Sequence, residues 1–137
     1  MLKKLSFVSV LAAVIQKVEQ NTGKRCYDAV PKDAPMPYYY AEIVGQIPDP
    51  SKTMWKERYQ VFIHAFAESP GGSSVQVFEA IQGLEEALTQ EIELPEGYDL
   101  VMQVPTGVQQ ILDEADGTKH AIMGYDFTVF YGFKMKI

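Results

Sequence analysis

The sequence predicts an α+β fold, a mostly antiparallel sheet of about five strands with two helices packed on it, in the order α-β-β-β-α-β-β. Three observations predict it. Apolar residues recur at helical spacing in two separate stretches, alternate with polar residues in several others, and end in a long hairpin pattern closed by Asp116-Gly117.

The first helix is read from Leu5, Val8, Leu11, Ile15 and Val18, and Asn21-Thr22-Gly23 supplies its end. Lys3-Lys4 followed by apolar residues has the look of a secretory signal. The pattern runs on into Gln16, Lys17, Glu19 and Gln20 without a cleavage site, so the segment is expected to stay as a helix of the fold. Arg25 to Val30 is a candidate first strand. Pro31 to Pro37, with three prolines, cannot be a central strand and is read as a crossing. Tyr38 to Gly45 is the second strand, and Pro48-Asp49-Pro50-Ser51 is a loop.

Met54 to Ala67 alternates as a third strand, with Trp55, Tyr59, Val61, Ile63 and Ala65 on one face and Phe62, His64 and Phe66 among the residues of the other. Ser69-Pro70-Gly71-Gly72 breaks it. Ser73, with Gln76 three residues on, predicts a capping box, and Val77, Ile81, Leu84 and Leu88, joined by Phe78, give the second helix a buried stripe.

Tyr98 to Ile137 reads as the hairpin. The last arm places Met123, Tyr125, Phe127, Val129, Tyr131, Phe133, Met135 and Ile137 at alternate positions. A two-residue type I′ turn at Asp116-Gly117 sets Ala115 opposite Thr118, and hence Leu100 opposite Phe133, Met102 opposite Tyr131, Val104 opposite Val129 and Val108 opposite Tyr125. The same register sets Asp99 against Lys134 and Asp113 against His120. Pro105 and Gly107 predict a bulge or kink.

With 137 residues, 47% of them hydrophobic, and no linker or repeat, the chain is expected to form one domain, 1–137. A formal charge of −6 argues against a protein that coats duplex nucleic acid, which needs a basic surplus to neutralise phosphates. The single Cys26 cannot form an internal disulfide.

The chemistry-bearing residues give no catalytic signature. His64 and His120 are far apart in sequence and lack metal-ligand spacing, and His64, between Phe62 and Phe66, reads as a packed or interface histidine. Cys26 has no local partner base, and Gly71-Gly72-Ser73-Ser74 lacks the lysine of a phosphate-binding loop. No cofactor and no metal are expected. The run Tyr38-Tyr39-Tyr40 is more distinctive, because tyrosine buries a large area while keeping a polar tip for a partner.

A strand ending in Val30-Pro31, then Ala34-Pro35-Met36-Pro37-Tyr38, a charged-to-apolar strand, a serine-led amphipathic helix and a closing hairpin with Asp116-Gly117 together resemble the tail-completion proteins of long-tailed bacteriophages and prophages, the tail terminator or head-tail joining family. The resemblance covers nearly the whole chain and implies a structural, non-enzymatic virion protein. In that family a ring, commonly a hexamer, caps the tail tube and faces the head connector. Implied partners are sister copies, the tail-tube protein and the connector or adaptor, with no specific nucleic acid and no membrane. The implied location is the virion tail or neck, with assembly in the bacterial cytoplasm.

A ring subunit needs two different patches that meet across a closing contact. The expected interface residues are Pro37, Tyr38, Tyr39 and Tyr40 on one side and Phe62, Phe66 and Phe130 on the other. The competing reading is a small-molecule-binding domain or small enzyme whose site is assembled around His64, which requires a deep pocket with His64 at its mouth.

Overall fold

The structure is a computed structural model that describes residues 1–135. Lys136 and Ile137, the end of the last predicted strand, lie outside the described residues. The elements are α1 (Phe7–Thr22), β1 (Cys26–Tyr27), β2 (Tyr38–Pro48), β3 (Met54–Ala67), α2 (Val75–Ala87), β4 (Asp99–Asp113) and β5 (Lys119–Phe133), the predicted order. They build one five-stranded sheet in the spatial order β1-β2-β3-β5-β4, parallel only between β1 and β2.

Both helices lie on one face of the sheet. The core between them is Tyr59, Val61, Ile63 and Ala65 of β3, Ala121, Met123, Tyr125, Phe127 and Val129 of β5, and Val77, Ile81, Leu84 and Leu88 of the second helical stretch, as the periodicities predict. α1 packs on α2, β1 and β2, whereas α2 packs on α1, β3 and β5, and neither helix packs on β4. β5 can be the inner arm because its residues pack well on both faces. β4 carries Pro105, which cannot complete a ladder on two sides, and takes the edge.

Five local expectations are corrected. Of the stripe Leu5, Val8, Leu11, Ile15 and Val18, Leu5 and Val18 are buried and Leu11 and Ile15 half-buried against the core, but Val8 is 78% exposed, and the centre of the buried face is Val10, Ala13 and Val14. α1 is apolar over two adjoining stripes, and the side chain of Ser6 caps it by accepting the Ser9 N–H at 3.1 Å, which starts the helix later than Leu5. β1 is cut to two residues, because the Cys26 N–H donates to the Glu19 carboxylate at 3.0 Å and the chain then leaves the sheet toward the prolines. The capping box at Ser73 does not form: Ser74 is the N-cap, without a side-chain bond, and Phe78 is 54% exposed on the outer flank of α2.

The hairpin register differs from the prediction, and its turn explains why. Glu114 accepts the Gly117 N–H at 3.1 Å and donates its own N–H to Thr118 at 2.9 Å, which is a type I turn with Gly117 (φ 87°) as the bulge residue. Among the described residues none other than glycine has a positive φ, so Asp116 does not enter the type I′ geometry; its carboxylate instead accepts the Thr118 N–H at 3.0 Å. Asp113 therefore faces Lys119 rather than His120.

Three bulges along β4, at Leu100/Met102, Pro105/Gly107 and Val108/Gln110, shift the register further, so that Val108 meets Met123, Val104 meets Asp126, Met102 meets Thr128 and Leu100 meets Val129. The break expected at Pro105 and Gly107 is one of them. The consequence is a β4 that does not bury its apolar residues: Val101, Met102, Val104, Val108 and Ile111 are between 38% and 54% exposed. Phe133 and Met135, predicted to continue the buried face, are exposed as well.

Candidate assembly surfaces

The helix-free face of the sheet carries most of the predicted contact residues. β-strand alternation sends Tyr39 into the core, where it is 2% exposed and its hydroxyl donates to the Ala80 carbonyl at 2.6 Å. Tyr38 and Tyr40 take the opposite face. There Tyr38 stacks on Phe66 with ring centroids 5.0 Å apart, and Phe66 stacks on His120 at 4.1 Å. Phe62 and Phe130 are half-buried on the same face, Phe130 edge-on to Phe133. Pro37 instead borders a groove of about 800 Å³ between the end of α1 and α2.

The sheet also brings together two histidines that are 56 residues apart in sequence. His64 on β3 and His120 on β5 form one hydrogen-bonded chain with Glu42 of β2 and Glu114 of the hairpin turn. The contacts are Glu42 Oε2 to His64 Nε2 at 2.6 Å, His64 Nδ1 to His120 Nε2 at 2.6 Å, and His120 Nδ1 to Glu114 Oε1 at 2.9 Å. The Nε2–H of His64 donates to Glu42, and its Nδ1 is taken by the Nε2 of His120.

Burial holds His64 below its ordinary pKa, against the pull of the hydrogen bond that it donates to Glu42, and the neighbouring His120 lowers it further. All four ring nitrogens are thus engaged within the chain. Neither ring offers a free nitrogen to a substrate. The nearest cavity, about 400 Å³ between Met36, Tyr38, Phe66, His120 and the hairpin turn, is not lined by His64. Among the described residues no group of three or more His, Cys, Asp or Glu is placed to hold a metal ion, and no helix is long and apolar enough to cross a membrane.

The chain of four residues ties β2, β3, β5 and the turn together and makes stability pH-dependent. Because the folded chain holds His64 neutral while the unfolded chain protonates it near pH 6.5, the unfolded state binds more protons below that pH, and stability falls as pH drops. Wild type is expected to lose melting temperature on acidification below about pH 6.5, more steeply than His64→Phe, which keeps the ring stack without the titration. Parallel melting profiles of the two proteins against pH check this. Equal slopes would remove His64 as the cause.

A second surface was not foreseen from the alternation. It comprises the uncovered side of β4, with Pro105, Val108 and Ile111, and the adjoining flank of α2. Glu85 of α2 lines a small cleft with Pro105, Gly107, Val108 and Tyr125, so this flank of the helix looks toward β4. Phe78, seven residues before Glu85, shares the flank. Pro105, with no N–H to give a further strand, and the break predicted at Pro105 and Gly107 signal an edge of this kind in the sequence.

The whole chain, residues 1–137, matches the sequence model of a family described as "Putative tail termination protein". No curated protein matches it. Among solved structures, a chain of the "Virion of native gene transfer agent (GTA) particle" is similar in fold, with a TM-score of 0.60 and 17% sequence identity over 91% of this chain and 99% of the other. The chain belongs to the phage tail terminator family and is a structural tail protein of phage type.

Proposed function

We propose that residues 1–137 form one ring subunit, that the ring is a hexamer, and that it ends tail-tube growth by occupying the tube end and presenting its other side to the head connector or adaptor. The observation that carries this reading, beside the family, is the edge strand β4: five large apolar residues between 38% and 54% exposed, with no helix over them. A monomer gains nothing from that exposure, whereas a closing contact between copies removes it from water. The reading needs no catalytic residue and no cofactor, in keeping with two histidines that are saturated inside the chain.

Of the residues expected at contacts, Tyr40, Phe62, Phe66 and Phe130 are half-buried on the open sheet face and are offered to the tube protein, the connector or a neighbouring copy, whereas Tyr38 on that face is 8% exposed. Tyr39 serves the core. Assembly would take place in the host cytoplasm and the product would reside in the tail or neck of the virion.

Light scattering on the purified chain, alone and with tail tubes, tests the reading. The expected result is a discrete species near six times the monomer mass, in solution or only on the tube. A phage lacking the gene should make tubes of uncontrolled length that fail to join heads. Normal tails from that phage would refute the proposal.

A further inference from the structure

We propose that the outboard flank of α1 from one copy docks onto the uncovered shelf formed by β4 and α2 of the next. This rests on the ring reading and names the two surfaces that close it. The helix layer of the fold is incomplete. α1 covers the β1–β2 end of the sheet and α2 the β3–β5 middle; the segment after α2 reaches β4 only at Gln103, and among the described residues no element covers the helix-facing side of β4 at Val108 and Ile111, which are 43% and 45% exposed.

At the opposite end of the molecule the complementary surplus occurs. α1 buries Val10, Val14 and Val18 against its own sheet and packs Leu11 and Ile15, half-buried, at the margin of the core, while Val8, 78% exposed, and Ala12 complete with them a shallow groove on its other side that Glu19 and Asp28 also line. The position of these residues around the helix sets them away from Lys17 and Asn21, which reach toward the α2 end through Glu93 and Ala87. One end of the layer has an apolar helix flank that its own core covers only in part, and the other has an apolar shelf without a helix. The flank from Val8 to Ile15 is about 10 Å long and fits within the roughly 20 Å of strand from Pro105 to Ile111.

Charge points to the same pairing. From Arg58 to Lys119 the intervening chain, which includes α2 and β4, holds eleven carboxylates and no lysine or arginine. Nine of the twelve cationic residues precede it, among them Lys3 and Lys4 before α1 and Lys24 and Arg25 after it. Two copies of an acidic shelf repel each other, whereas the α1 flank, whose groove holds Glu19 and Asp28 but is bracketed by Lys3, Lys4, Lys24 and Arg25, keeps a surplus of cations and is attracted to the shelf. The contact is therefore between unlike surfaces, so each copy gives one and receives one, the geometry from which a closed ring follows.

The test uses the full chain with Cys26→Ala as background. Val8→Cys and Ile111→Cys are made separately, and each is treated with a short thiol cross-linker alone and after mixing. A cross-linked dimer formed in the mixture, and in neither variant alone, is the expected result. Val8→Asp and Ile111→Asp, each with wild-type circular dichroism, should lose the higher-mass species and elute at monomer mass. If the wild type assembles but the cysteine variants cross-link only with themselves or not at all, or if both aspartate variants assemble as wild type does, the docking proposal is overturned and the ring stands. If the wild type remains monomeric in solution and on tubes, the ring reading falls first.

Discussion

Raising the pH toward 12 is expected to unfold this protein by burial alone. Three ionisable groups in the core are held protonated well past their ordinary range: burial, and then the Glu19 carboxylate, push the Cys26 thiol from 9.0 up to about 12. Burial, and then Cys26 and Tyr125, push Tyr39 from 10.0 to about 12, and burial with Glu85 does the same for Tyr125. All three residues are under 5% exposed. A raised folded pKa means that the folded chain binds more protons than the unfolded one, so stability is complete below about pH 9 and is lost as pH rises through 12.

At about 1.4 kcal/mol per pKa unit, the thiol accounts for about 4 kcal/mol and each phenol for about 3. A loss of about 10 kcal/mol is the size of the whole stability of an ordinary domain, about 5–15 kcal/mol. Tyr39 gives a further reason, because a phenolate cannot donate the hydrogen bond that its hydroxyl makes to Ala80. Phenolate absorbance and far-ultraviolet circular dichroism recorded on the same titration check this. The last phenols should ionise together with loss of the sheet. Complete phenol titration with secondary structure intact would show that Tyr39 and Tyr125 are not held by the core.

The order of elements was legible because each depends on a local signal: period two in β3 and β5, helical spacing in α2, prolines between β1 and β2. The turn chemistry was half legible. Asp116-Gly117 marks a turn, but whether its aspartate adopts a positive φ is decided by the strands that the turn must join. One residue of difference there, followed by three bulges, moved every pairing predicted for β4. Helix α1 shows a different limit. Leu5, Val8, Leu11, Ile15 and Val18 form as good a stripe as Val10, Val14 and Val18, and spacing alone cannot say that the buried face is centred on Val10 and Val14, with Leu11 and Ile15 at its margin and Val8 outside it. The histidine chain was out of reach for another reason. It joins β2, β3, β5 and a turn, and the side chains meet only through strand register that the sequence does not state.

The division between apolar residues that hold the fold and apolar residues that do not can be measured. Phe127 is fully buried at the centre of the inner strand, and Phe127→Ala should cost about 3–5 kcal/mol, the lost transfer free energy plus that of the cavity left behind. Ile111→Ser and Val108→Ser replace apolar side chains of β4 by a hydroxyl, at sites that are 45% and 43% exposed in the isolated chain. Their stability should remain within about 0.5 kcal/mol of wild type. Urea unfolding of the three variants at a concentration where the chain is monomeric makes the comparison. The apolar area of β4 then contributes, at about 25 cal/mol per Å², only when another surface covers it, so the serine variants should weaken self-association without moving the monomer's unfolding midpoint. An Ile111→Ser monomer as unstable as Phe127→Ala would mean that β4 already belongs to the core, and the shelf would have nothing left to offer a neighbour.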